Sequence, residues 1–165
     1  MTHIAQPLTA QRIWAALEEV TDPEIPIVSL VEMGIVRDVS LDGERATITI
    51  TPTFVGCPAL IPMREAIVEQ VKRLGAREVE VHTSLNPPWS SEWIAESARA
   101  KLKTIGVSPP PHHAGTIEIA LVETASCPYC GSSNNVLDSL FGPTPCRSMH
   151  YCNACRQSFE QFKPL

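Results

Sequence analysis

The tail of this chain carries the pattern with the fewest structural solutions. Cys127-Pro-Tyr-Cys130 and Cys152-Asn-Ala-Cys155 are two CxxC pairs with 21 residues between the inner cysteines. Two residues between thiols let both sulfurs of a pair reach one tetrahedral ion from a tight turn, and the second pair must come from a returning segment. That is the layout of a zinc ribbon, with one ligand pair on each hairpin. The intervening length slightly exceeds the usual range and asks for an extended hairpin. A segment of roughly forty residues has too little apolar mass to fold alone, so metal binding should supply much of its folding free energy, on the order of 10 kcal/mol. Four sulfurs leave no open position, which makes such a zinc structural rather than catalytic. An iron–sulfur cluster on the same four thiolates is the second candidate. Cys146, in GPTPCRS, is a cysteine that the tetrahedron does not need. It reads as a small buried hydrophobe, a substitute ligand or a second reactive thiol. His150, two residues before Cys152, reads as a surface residue before it reads as a ligand.

Metal ligands are the first reading of six cysteines only where thiols stay reduced. The start, MTHIAQPLTAQRIW, lacks the charged opening and apolar core of a secretory signal, and no run reaches the roughly 20 apolar residues that span a bilayer. A cytoplasmic location without membrane partners is therefore expected. Of the net charge of −5, nearly all falls in the first 124 residues. From Ala125 onward three basic residues (Arg147, Arg156, Lys163) face two acidic ones (Asp138, Glu160). Neither half supplies the clustered Lys and Arg that neutralise phosphates, which argues against a nucleic-acid partner.

Ahead of the tail, periodicity reads as helix, strand, strand, helix, strand, helix. Thr9 can cap a helix to Val20, with Leu8 and Ile13 at the positions of a hydrophobic staple. SLVEMG is expected to hold a helical turn stopped by Gly34. IVRDVSL and RATITIT flank Asp42-Gly43, a hairpin signal. A helix carrying Leu60, Ile67, Val71 and Leu74 follows, then the strand EVEVHTSL. A last helix should turn Ile94, Ala98, Leu102 and Ile105 inward and place Arg99, Lys101 and Lys103 toward its C-terminal end. The expected fold class is α+β: a small sheet of about three strands, one hairpin plus one further strand, covered by helices, with a C-terminal ribbon-like β module. The expected domains are 1–106, a Pro-rich linker over 107–116 and the Cys₄ module over 117–165, with TIEIALVE as a strand leading into the tail.

The sixth cysteine stands in a different setting. In TFVGCPAL, Cys57 lies between Gly56 and Pro58 at the mouth of the second helix, whose start Pro62 moves to Ala59 or Leu60. Nearby backbone N–H groups and the positive end of the helix dipole favour a thiolate there, and Gly56 leaves room for a partner or metal. The rival reading is a buried, inert cysteine. Asp22-Pro23-Glu24 likewise has two readings. One is a turn capped by Asp22; the other brings carboxylates toward the Cys57 loop as ligands or proton acceptors. Trp89 and Trp93 read as core or rim, or as part of an exposed apolar patch with Pro87 and Pro88.

DPEIPIVSLVEMGIV followed by TPTFVGCP and a helix resembles the SufT-like iron–sulfur assembly domain family. NPPWSSEWIAESARAKL, the proline linker and CPYC…FGPTPCRSMHYCNACRQSFEQFKP resemble the PaaD-like branch, accessory proteins of the bacterial ring-1,2-phenylacetyl-CoA epoxidase of phenylacetate degradation. The resemblance runs from about Leu8 to Pro164. It implies a role in maturing the iron–sulfur or di-iron centre of that oxygenase system. Its oxygenase and reductase components, or general iron–sulfur assembly proteins, would be the partners. It further implies a reactive thiol at Cys57, with transient iron or an iron–sulfur species there, and a supporting loop and motif of Asp22, Glu24, Thr51, Thr53, Gly56 and Pro58. In PaaD-like tails the position of Cys146 is also cysteine. No Gly-rich phosphate loop or nucleophile elbow points to an enzyme of another kind. The alternative is a scaffold without chemistry that bridges the oxygenase and reductase components.

Overall fold

The computed structural model describes residues 7–112 and 125–164, so the strand expected at 116–123 lies outside the described residues. The chain divides into two compact units. One comprises residues up to Pro52 and Pro58–Pro87; the other comprises Thr53–Cys57 and Pro88 onward.

The first unit follows the expected order with one addition. Helix α1 (Ala10–Leu17) opens at Thr9, whose hydroxyl accepts from the Arg12 N–H at 3.2 Å, and it buries Ile13 and Leu17. A short hairpin of β1 (Thr21–Asp22) and β2 (Ile25–Ser29) comes next. Two prolines hide these strands in the sequence, because proline depletes strand interiors and Pro26 is tolerated only where no ladder N–H is needed. The SLVE turn is a capping box: Ser29 Oγ accepts from the Glu32 N–H, and Glu32 Oε2 accepts from the Ser29 N–H, both at 3.0 Å. Gly34 (φ 65°) ends that turn as expected.

The sheet of this unit has the order β3-β4-β5. Strands β3 (Val36–Asp42) and β4 (Arg45–Ile50) form the hairpin, turning at Gly43 (φ 59°). A bulge between Val36 and Asp38 explains why the apolar residues of β3 do not alternate, since one extra residue shifts the pleat. Ala46, Ile48 and Ile50 do alternate and are fully buried. Helix α2 (Leu60–Arg73) then carries the chain to β5 (Glu78–Thr83), which pairs in parallel with β4. Met63, Ile67 and Val71 are the buried stripe of α2, and Gln70 ties it to α1 by donating to Ala16 O and Glu19 Oε2.

The second unit is built around a four-stranded sheet of order β6-β9-β8-β7. A 3₁₀ turn (Ser91–Trp93) leads into α3 (Glu96–Thr104). Strand β6 (Val107–Ser108) begins where the sequence suggests a linker, and it pairs in parallel with β9 (Ser158–Phe162). Strands β7 (Asn135–Ser139) and β8 (Arg147–Cys152) complete an antiparallel meander with β9.

Two side chains of α3 and its end differ from expectation. Ile94, Ala98 and Leu102 are buried, but Ile105 is exposed, because the helix ends at Thr104 and the chain turns away at Gly106 (φ 79°). Arg99, expected with Lys101 and Lys103 toward the C-terminal end, lies outside the last turn and is buried. Its guanidinium donates to the carbonyls of Ser91 (2.7 Å), Ile94 (3.4 Å) and Pro110, and lies 3.4 Å from Glu96.

Candidate metal centre and thiol loop

The four tail cysteines converge. The sulfurs of Cys127, Cys130, Cys152 and Cys155 all lie within 4.8 Å of one another, with Cys127–Cys155 at 3.7 Å and Cys130–Cys152 at 3.6 Å. A tetrahedron of sulfurs about 2.3 Å from a central ion has edges of about 3.8 Å. The donor set therefore fits a single tetrahedral ion.

Local backbone geometry explains why each CxxC presents two sulfurs to one point. In the first pair, Gly131 N–H donates to Cys127 O (2.8 Å) and Cys127 N–H to Ser132 O (3.0 Å). In the second, Arg156 N–H donates to Cys152 O (2.8 Å) and Cys152 N–H to Gln157 O (2.9 Å). Both turns need a left-handed residue directly after the second cysteine. Gly131 (φ 73°) supplies it at no steric cost, whereas Arg156 (φ 59°) adopts it as the single non-glycine residue at positive φ among the described residues. The glycine after CPYC is a readable signal; no residue-type signal marks Arg156.

Four thiols this close do not ionise independently. Backbone N–H groups of Cys155 and Ala154 hold the Cys152 thiol down to about 7, while burial and the three surrounding sulfurs push Cys155 up to about 12. A central cation removes the repulsion that otherwise keeps protons in the cluster.

His150 is not on the surface. It is buried on β8, stacked on Phe159 with ring centroids 5.4 Å apart, and its ring nitrogens face Asn135 Oδ1 (3.2 Å) and Ser148 Oγ (3.1 Å). Burial lowers its pKa. With both nitrogens engaged, it supports the hairpin rather than the ion. Cys146 is half-buried on the loop before β8, its sulfur 3.2 Å from Thr144 Oγ1, a hydroxyl that also accepts from Arg147 Nε.

Cys57 is half-buried, and its N–H donates to Phe54 O (3.1 Å) in a tight turn. Helix α2 starts three residues later, at Leu60, so Pro58 precedes it and Pro62 falls in its first turn, as the sequence suggests. Phe54 and Val55 beside the thiol are exposed. A Cβ at Gly56 would come within 3.2 Å of the Phe54 ring, which would have to give by a few tenths of an ångström. Thr53, Gly56 and Cys57 belong to the second unit; Asp22, Glu24, Thr51 and Pro58 belong to the first. Asp22 is largely buried, and its Oδ1 accepts from the Glu24 N–H (2.7 Å), which is the turn-capping reading of that motif. Glu24 is exposed, and Thr51 is buried with its N–H on Ile35 O (2.8 Å).

Comparison with known proteins also divides the chain in two, but keeps residues 53–57 with the first segment. Residues 10–83 match the family of iron–sulfur cluster assembly proteins, and residues 112–163 match the PaaD zinc beta ribbon domain. Over 157 residues the chain is 38% identical to an Escherichia coli (strain K12) protein named as a component of the "Putative 1,2-phenylacetyl-CoA epoxidase", covering 95% of this chain and 94% of that one. It is 40% identical over 98 residues to the Fe-S protein maturation auxiliary factor YitW of Bacillus subtilis (strain 168), covering 56% and 91% of the two chains. A solved structure of a conserved hypothetical protein from Thermotoga maritima aligns with a TM-score of 0.52 at 27% identity, over 60% of this chain and 98% of that one. No helix among the described residues is long and apolar enough to cross a membrane.

Proposed function

Because this chain belongs to the PaaD family, in which an iron–sulfur assembly domain is joined to a PaaD zinc ribbon, we propose that it matures a metallocentre of a phenylacetyl-CoA epoxidase through Cys57. The observation that carries this reading is the pairing, in one chain, of an assembly domain spanning Cys57 and a ribbon of the PaaD type. Iron or an iron–sulfur species is the cargo, and the oxygenase and reductase components are the partners. A thiolate suits this role because soft sulfur favours iron–sulfur species, and a half-buried position allows exchange. Asp22 and Glu24 serve as electrostatic or ligand neighbours, and Thr51, Thr53, Gly56 and Pro58 shape the loop.

In the tail, Cys127, Cys130, Cys152 and Cys155 hold a structural zinc ion. When bound, it supplies folding free energy and no open coordination position. Sulfurs all within 4.8 Å of one another suit one ion better than a cluster in which each cysteine sits on its own iron.

Cys57→Ser is expected to fold with unchanged melting behaviour (within about 0.5 kcal/mol) and to keep its tail metal, yet to fail in restoring epoxidase activity when co-produced with the other components. Full restoration by that variant would remove Cys57 from the mechanism. A second reading, an adaptor without chemistry, is favoured by the exposed Val136, Leu137, Leu140 and Phe141 in and just after β7, the outermost strand of its sheet among the described residues. Trp89 cannot contribute to such a surface, because it is buried.

A further inference from the structure

The hydrocarbon cluster inside the ribbon consists of Ala125, Cys127, Cys152 and Phe159, with Cys155 packed against it. Three of these five side chains are the candidate metal ligands, so withdrawing an ion leaves Ala125 and Phe159 as the remaining apolar members of this cluster. A ribbon so built keeps its shape only while the ion is present.

Three connections lead from the ribbon to residues 88–108 within the same unit. Tyr129, inside the first CxxC, lies over Gly106, where a Cβ would overlap its hydroxyl. Strand β9 pairs with β6 through Val107–Glu160 and Ser108–Gln161. Phe162, the last residue of β9, packs on Trp89 with ring centroids 5.7 Å apart, and both rings are at most 5% exposed. Residues 53–57 group with this unit and not with the strand and helix that flank them in sequence.

We infer that the tail metal centre is a positioning element for the Cys57 loop: loaded, it holds the ribbon, residues 88–108 and the loop as one body; emptied, it releases the loop. The importance of this coupling rests on the reading of Cys57 as the working thiol, but its detection does not. The loop contains the exposed Phe54 and Val55 and turns on a backbone bond of 3.1 Å from Cys57 N–H to Phe54 O, and it groups with the second unit, so loosening that unit should change its surroundings.

The test uses the full chain, with peptide-resolved iodoacetamide labelling of Cys57 and amide hydrogen exchange before and after metal withdrawal by EDTA. Labelling of Cys57 is expected to rise about tenfold, as local opening becomes easier. Residues 96–108 should lose protection together with β8 and β9, while β3, β4, β5 and α2 keep theirs. An unchanged Cys57 rate with unchanged protection of 96–108 would overturn the inference. If chelation also unfolds the first unit, Phe162→Ala decides, since it leaves all four ligands in place. At full metal occupancy it should still raise Cys57 labelling several-fold, and a wild-type rate would overturn the inference. Should Cys57→Ser support the epoxidase while Cys57 labelling in the wild type tracks the metal, the proposed function fails and the coupling stands.

Discussion

The two units bury different materials. Among the described residues the first unit buries 19 apolar side chains and three polar ones (Asp22, Ser29, Thr51). The second buries ten apolar side chains, two of them metal-site cysteines, and eight polar ones: Ser91, Arg99, Ser108, Thr144, Arg147, Ser148, His150 and Gln161. A hydrocarbon core gains from every methylene and needs no particular partner. Polar interiors add little net stability, lose heavily when one partner is missing, and specify one geometry. The first unit is thus a scaffold in its own right. The second combines a cluster of four cysteines with directed polar contacts.

Removing a ligand should separate the units most sharply. Cys152→Ala is expected to abolish metal binding and unfold the ribbon, a loss on the order of 10 kcal/mol to that segment, measured as metal content and as exchange protection in β8 and β9. Acidification works in the same direction, because each thiol must lose a proton to bind and protons then compete with the ion. If β3–β5 lost protection in parallel, the contrast between the units would be wrong. Ile48→Ala should destabilise the first unit by about 3 to 4 kcal/mol through a core cavity and leave tail metal binding intact. Arg99→Met tests the polar side of the comparison. Similar in bulk, it leaves the carbonyls of Ser91, Ile94 and Pro110 without their donor, and a loss of about 3 kcal/mol in the second unit alone is expected from denaturant melts. Smallest is Arg156→Gly, which relieves a left-handed backbone. It should stabilise the loaded ribbon by about 1 kcal/mol, seen as a higher melting temperature.

Apolar periodicity makes most of the first unit legible: Ala46-Ile48-Ile50, the Ile67–Val71 stripe and the Thr9 cap all specify local structure without distant help. The β1–β2 hairpin is obscured by Pro23 and Pro26, whose local preference is a turn. The ligand set of the second unit is equally plain, because CxxC geometry is local. Its interior is not. Nothing near Arg99 or His150 in sequence announces that they face inward, since Pro110 for one and Asn135 for the other are brought into place by folding. The candidate thiol is legible as a motif. Its membership of the second unit is not, because that depends on residues at least 31 positions further along the chain.

This interleaving has a consequence for synthesis. As the chain leaves the ribosome, residues 53–57 emerge between two segments of the first unit, which has all its strands and helices once Thr83 is out. The rest of their unit follows from Pro88 onward, with the CNAC pair 95 residues after Cys57. A newly made molecule therefore passes through a stage in which the scaffold can fold while the thiol loop still waits for its neighbours.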